Sequence, residues 1–220
     1  MPQVRRASAP LIDAIAAARR NGLPAHRTSR PGVVTLDEFL ARPELDSLVE
    51  WVLRKEAQFA SSGVISAVGK RGRFDRHSRR STVLYTPGPL RALFEQRLIS
   101  VLPHVCGRLG HPVVPVRGIE MQITASNDGD YFHAHTDNAH ESVAARKLTY
   151  VYFFHREPAR FTGGRLRVFG GGQTVEVVPR QNQVVFFLPT LQHEIETVRC
   201  PSGLFVDSRF TVNGWYLAPS

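Results

Sequence analysis

Three histidines and one aspartate fall within eight residues of the stretch Tyr131 to His140, YFHAHTDNAH, in a chain that holds only nine histidines. If YFHAHTD is a strand, side chains alternate, so His133, His135 and Asp137 project from one face while Ala134 and Thr136 point away. A His-x-Asp spacing then sets an imidazole nitrogen and a carboxylate oxygen close enough to grip one ion. A third ligand can come from His155 or His193. His155 leaves a strongly apolar strand into the loop REP, whereas His193 follows FFLPTLQ at a strand start, where sites are commonly held. Two histidines and one carboxylate make the facial triad of non-haem Fe(II) oxygenases. The same residue types also serve tetrahedral zinc, so the triad alone leaves the metal open.

A second feature narrows the chemistry. DSRFTVNGW puts Arg209, Thr211, Asn213 and Trp215 on one face of the last strand, and an inward arginine must find an anion. No matching inward acid is present in the pattern. A guanidinium fork fits a carboxylate ligand bidentately, which points to the distal carboxylate of 2-oxoglutarate.

The ordered set His135-x-Asp137, LTYVYFF, FTGGRLRVF, PRQNQVVFF, His193-Glu194, Arg209 and NGW resembles the Fe(II)- and 2-oxoglutarate-dependent dioxygenases of the prolyl-hydroxylase type, over roughly residues 117 to 217. The resemblance implies a double-stranded β-helix, or jelly roll, in which His135, Asp137 and His193 bind Fe(II) and Arg209 holds 2-oxoglutarate. It implies that O2 and 2-oxoglutarate are consumed, that succinate and carbon dioxide are released, and that an unactivated C–H bond is hydroxylated. Ascorbate is a possible accessory reductant. Halogenases related to this family replace the carboxylate ligand with a small residue, so Asp137 points to hydroxylation. A tyrosine that helps to hold the cosubstrate in several prolyl hydroxylases aligns with Phe153, so its hydroxyl must come from elsewhere: Tyr152, Tyr131, Gln122 or Thr211. Trp215 is expected in the core or as a wall of the cosubstrate pocket. The interval from His193 to Arg209 is longer than usual in the family and reads as an extended turn.

These residues need elements to position them. A chain of 220 residues can bury one sizeable core, and its 42% hydrophobic and 21% charged content is that of a globular protein. RPELDSLVEWVLRKEAQF carries Leu45, Leu48, Val49, Val52 and Leu53 at helical spacing. A second helix is predicted from Pro89 until Pro103 interrupts it. A basic loop or lid, with a strand at STVLY, lies between them. From Arg117 the period falls to two, and eight short β-prone runs follow, separated by turn material such as SNDGD, TGG, GGG and CPSG. Eight strands in two sheets is the count of a jelly roll. The expected organisation is a basic N-terminal extension with a short helix over residues 1–31, then one dioxygenase domain over residues 32–220.

The net charge of +9 is concentrated in two places. In residues 1–31 six arginines face Asp13 alone, and in Gly69 to Arg80 six basic residues face Asp75 alone, so each segment carries +5. Such patches can steer an acidic partner or form a solvated face. The expected partner is a small-molecule, peptide or protein substrate, with His133, Tyr131 and Arg80 as candidate contacts and His140 as a loop residue. His133 reads equally as a rim residue. Nucleic-acid demethylation of the alkylation-repair type is the alternative, disfavoured because RFTVNGWY lacks that family's second arginine; a non-oxygenase metal-binding jelly roll is a third. Two distant cysteines, Cys106 and Cys200, and the absence of a membrane-spanning run suggest a cytoplasmic monomer or homodimer.

Overall fold

The computed structural model describes residues 26–30, 32–62, 78–86 and 88–219. The expected helix in residues 1–31 and most of the basic segment from Gly69 lie outside the described residues. Among the described residues there are two α-helices: α1 (Arg42–Leu53) and α2 (Arg91–Leu109). Fifteen strands are described: β1 (His26–Arg30), β2 (Val33–Leu36), β3 (Ala60–Ser61), β4 (Arg79–Arg80), β5 (Thr82–Leu84), β6 (Gly118–Ser126), β7 (Tyr131–His135), β8 (Arg146–Phe154), β9 (Thr162–Gly163), β10 (Leu166–Gly170), β11 (Gln173–Val177), β12 (Gln183–Phe187), β13 (Gln192–Ile195), β14 (Val198–Arg199) and β15 (Arg209–Leu217).

The strands form an eight-stranded major sheet, ordered β1-β2-β12-β8-β15-β6-β5-β3, and a five-stranded minor sheet, ordered β11-β10-β13-β7-β4. All eight strands read from the sequence are present, and HEIETVRC divides into β13 and β14, the latter pairing with β9. The β1–β2 hairpin crosses the boundary expected at residue 31 and extends the major sheet back to His26.

Alternation along the central strands sorts the core into two layers. Tyr150, Tyr152 and Phe154 of β8 and Phe210, Val212 and Tyr216 of β15 face α1 and α2, joining Leu45, Leu48, Phe94 and Leu98 in one buried cluster. Val151 and Phe153 face the opposite way and meet Leu166, Val168 and Phe187 between the sheets. The helices thus cap the outer face of the major sheet, and the inner face is left for the site.

Pro103 lies inside α2, which continues to Leu109 instead of ending there as the sequence predicts. The ring sits on the exposed face, so water can satisfy the carbonyl it leaves without a donor, while Val101, Leu102, Val105 and Cys106 remain buried on the other side. Gly110, at φ 65°, closes the helix. No helix of the described residues is long and apolar enough to cross a membrane.

The His-Asp-His cluster and the buried arginine

His135, Asp137 and His193 come together, with one candidate ligand atom from each within 4.8 Å of the others. His135 on β7 and His193 on β13 are direct cross-strand partners. Asp137 lies just past the end of β7, where its backbone N–H donates to the Pro189 carbonyl at 2.9 Å and ties it to the loop leading to His193. His135 Nε2 is 3.6 Å from Asp137 Oδ1, and His193 Nε2 is 3.5 Å from Asp137 Oδ2.

Each of the three is held from behind. His135 Nδ1 donates to the His133 carbonyl at 2.8 Å and His193 Nδ1 to the Leu191 carbonyl at 3.0 Å. A carbonyl only accepts, so the proton sits on Nδ1 and the Nε2 lone pair is turned toward the shared centre. Thr149 Oγ1 donates to Asp137 Oδ2 at 2.8 Å. Burial pushes the His193 imidazole down to about 4, which keeps it neutral and able to ligate. Burial also acts to raise the Asp137 carboxyl, but His135, His193 and Trp215 outweigh it and hold the group below the usual carboxylate range.

β7 departs from simple alternation. Its register against β13 shifts between His193/His135 and Ile195/Phe132, so an extra residue is accommodated. Phe132 therefore stacks on His135, with centroids 3.5 Å apart, while the exposed His133 packs beside Tyr131. The expectation that His133 shares a face with His135 and Asp137 is corrected: His133 does not line the cavity at the cluster, although Tyr131 and His140 do.

That cavity, about 590 Å³, runs between the sheets from the cluster to Arg209. The inner face of β15 forms its floor, with Arg209, Thr211, Asn213 and Trp215 all lining it as the alternation predicts. Arg209 is 2% exposed, and its Nε and Nη2 have no partner among the described residues. Its guanidinium lies 4.9 Å from the Phe153 ring centroid, and burial pushes its pKa down to about 9. Gly164 makes room for it: at φ +61° a Cβ there would stand 2.7 Å from Arg209 Cδ. Gly214 has a similar duty on the opposite face, where a side chain would collide with the Glu120 carbonyl that accepts from Tyr150 Oη.

Among the candidate cosubstrate contacts, Gln122, Thr211, Trp215 and Tyr131 line the cavity and Tyr152 does not. Tyr152 is one step out of phase: it packs against Phe39 and Phe94 in the helix layer, and its hydroxyl donates to Asn182 Oδ1 at 2.9 Å. His155 is also remote, with Nδ1 beside the Arg156 carbonyl and its ring against Phe161. Arg80 points outward into an ion pair with Asp130 at 3.1 Å, and its neighbour Arg79 is the one that enters the cavity. The interval between His193 and Arg209 is ordered as β14 and a 3₁₀ turn at Phe205–Asp207, where Asp207 pairs with Arg156 at 2.9 Å.

Residues 121–217 match the model of the 2OG-Fe(II) oxygenase superfamily. The chain is 33% identical over 192 residues to an uncharacterized PKHD-type hydroxylase from Synechocystis sp., covering 82% of this chain and 61% of that protein. It thus spans about three-fifths of the length of the curated relative it matches. Its fold is similar to a prolyl-4-hydroxylase from Pseudomonas putida, with TM-score 0.63, 16% identity and coverage of 96% of this chain and 100% of that one. It is also similar to a prolyl hydroxylase from Trichoplax adhaerens solved with a hypoxia inducible factor peptide fragment, with TM-score 0.64, 16% identity and coverage of 96% and 94%. The residues that match the 2OG-Fe(II) oxygenase superfamily model, 121–217, carry the His135–Asp137–His193 cluster and Arg209, and the chain shares the fold of these solved hydroxylases.

Proposed function

We propose that the chain is an Fe(II)- and 2-oxoglutarate-dependent dioxygenase that hydroxylates an unactivated C–H bond of a prolyl or other amino-acid residue, in a peptide, a protein or a natural-product intermediate. The observation that carries this reading is Arg209, a guanidinium buried in the same cavity as the His-Asp-His cluster and lacking a partner at Nε and Nη2 among the described residues. A buried cation without an acceptor is costly, and a carboxylate from a ligand removes that cost.

The residues fit the iron and the cosubstrate. His135 Nε2, His193 Nε2 and one Asp137 oxygen would hold Fe(II), and Arg209 would receive the distal carboxylate of 2-oxoglutarate. When bound, Fe(II) would activate O2, the oxidant, and 2-oxoglutarate would supply two of the electrons as it is converted to succinate and carbon dioxide, the C–H bond supplying the other two. Thr149 holds the second Asp137 oxygen and so fixes which one faces the centre. Phe153, Val151 and Leu166 keep the Arg209 end dry, which strengthens its grip on an anion. A cavity of about 590 Å³ is larger than the cosubstrate needs and leaves room for the target group.

The PKHD-type relative and the prolyl-hydroxylase folds support an amino-acid residue as the target. Two free thiols, Cys106 and Cys200, suit a reducing compartment such as the cytoplasm. The test is succinate formation from 2-oxoglutarate with Fe(II) and ascorbate, alongside binding of 2-oxoglutarate to the metal-loaded protein. Iron-dependent binding that Arg209→Ala weakens supports the reading. Equal affinity in Arg209→Ala, or no iron-dependent binding at all, overturns it.

A further inference from the structure

Three arginines line the cavity: Arg79, Arg146 and Arg209. Arg146 is engaged, since Nη2 is 2.6 Å from Glu120 Oε2 and its guanidinium lies 3.5 Å from the Trp215 ring centroid. Arg209 has its role in the proposed function. Arg79 has no ion pair among the described residues and donates only to two neutral hydroxyls, Ser81 Oγ at 3.0 Å and Thr124 Oγ1 at 3.3 Å.

Arg79 is placed as a ligand-facing group. β4 pairs with β7 so that Arg79 lies opposite Phe132, and its guanidinium sits 4.8 Å from that ring, which itself stacks on His135. Thr124, one of its acceptors, donates onward to Asn213 Oδ1 at 2.9 Å on the cavity floor. Burial pushes Arg79 down to about 10, against the opposing influences of Tyr85 and Asp137. Arg79 is thus a half-buried cation with no acidic partner among the described residues.

Charge balance shows what it lacks. With neutral imidazoles, a divalent metal and the Arg209 guanidinium offset the Asp137 carboxylate and the two carboxylates of 2-oxoglutarate. That set is neutral without Arg79, which is therefore the surplus cation of the loaded site. We infer that Arg79 binds an anionic group, a carboxylate in the first instance, on the substrate to be hydroxylated. This rests on the proposed function and narrows its substrate to molecules that carry such a group near the target carbon: a free or carboxyl-terminal amino acid, or an acidic side chain beside it.

The test uses the full chain loaded with Mn(II) and 2-oxoglutarate, so that binding is measured without turnover, and titrates it with acetate and with the uncharged, similarly shaped acetamide. Saturable acetate binding, at least tenfold tighter than acetamide, is expected. In Arg79→Gln the acetate affinity should fall at least five times more than the 2-oxoglutarate affinity, and Arg79→Lys, which keeps the charge, should recover part of it. No acetate preference, or a preference that survives in Arg79→Gln, overturns the inference. Failure of the wild-type protein to bind Mn(II) and 2-oxoglutarate defeats the proposed function instead, so the two failures are distinguishable.

Discussion

The two ends of the cavity are built on opposite principles. At the metal end, the polar groups that support the site are satisfied by the protein itself: both Nδ1 atoms reach carbonyls, and Asp137 Oδ2 accepts from Thr149. At the Arg209 end the described residues leave Nε and Nη2 without an acceptor. The first arrangement orients three ligand atoms before any ion arrives. The second holds a charge at a cost to stability, because a buried guanidinium loses its hydration and, among the described residues, Nε and Nη2 receive no acceptor in return.

The largest expected effect breaks the satisfied end. His193→Ala should lower iron-dependent succinate formation by about 1,000-fold or more, since two ligands do not hold the metal in place, while circular dichroism and the thermal midpoint stay near the wild-type values. Retained turnover would remove His193 from the ligand set.

At the other end, Arg209→Ala should raise the 2-oxoglutarate KM on the order of 100-fold, the scale of losing one side of a buried charged pair. Its stability effect should have the unusual sign. Arg209→Met, which removes the uncompensated charge, should leave the ligand-free protein as stable or more stable by about 1–3 kcal/mol. With metal already saturating, added 2-oxoglutarate should then raise the melting temperature of the wild type more than that of the variant. A ligand-free Arg209→Met protein that melts well below wild type would show that the guanidinium is already compensated.

A smaller change sharpens the same contrast. Thr149→Val keeps the shape but removes the donor to Asp137, and metal affinity should fall about 10-fold, read by calorimetry. The smallest expected effect is Phe153→Tyr. Its ring already stands beside Arg209, and a hydroxyl there could add one hydrogen bond of about 0.5–1.5 kcal/mol to the bound carboxylate. The 2-oxoglutarate KM should fall a few-fold; a rise would mean that the dry wall around Arg209 is worth more than the hydroxyl.

Periodicity made much of this molecule readable. The change from helical spacing to period two at Arg117 located all eight barrel strands, and alternation along β15 put Arg209, Thr211, Asn213 and Trp215 on the cavity floor. The grouping of His135, Asp137 and His193 was legible because strand alternation and residue type together single them out. Local pattern failed where a distant partner decided the outcome. Tyr152 and Phe153 are adjacent and both aromatic, and only packing against α1 and α2 settles which of them faces the space between the sheets.

The same division holds for the whole chain. Residue types and their order determined the strands, the grouping of His135, Asp137 and His193 and the inward direction of Arg209, because these depend on local alternation. Tertiary structure alone decided that β7 bulges and turns His133 away, and that pairing of β4 with β7 brings Arg79 inward while Arg80 stays in solvent. Register between strands some fifty residues apart depends on both partners at once, and neither segment carries it alone.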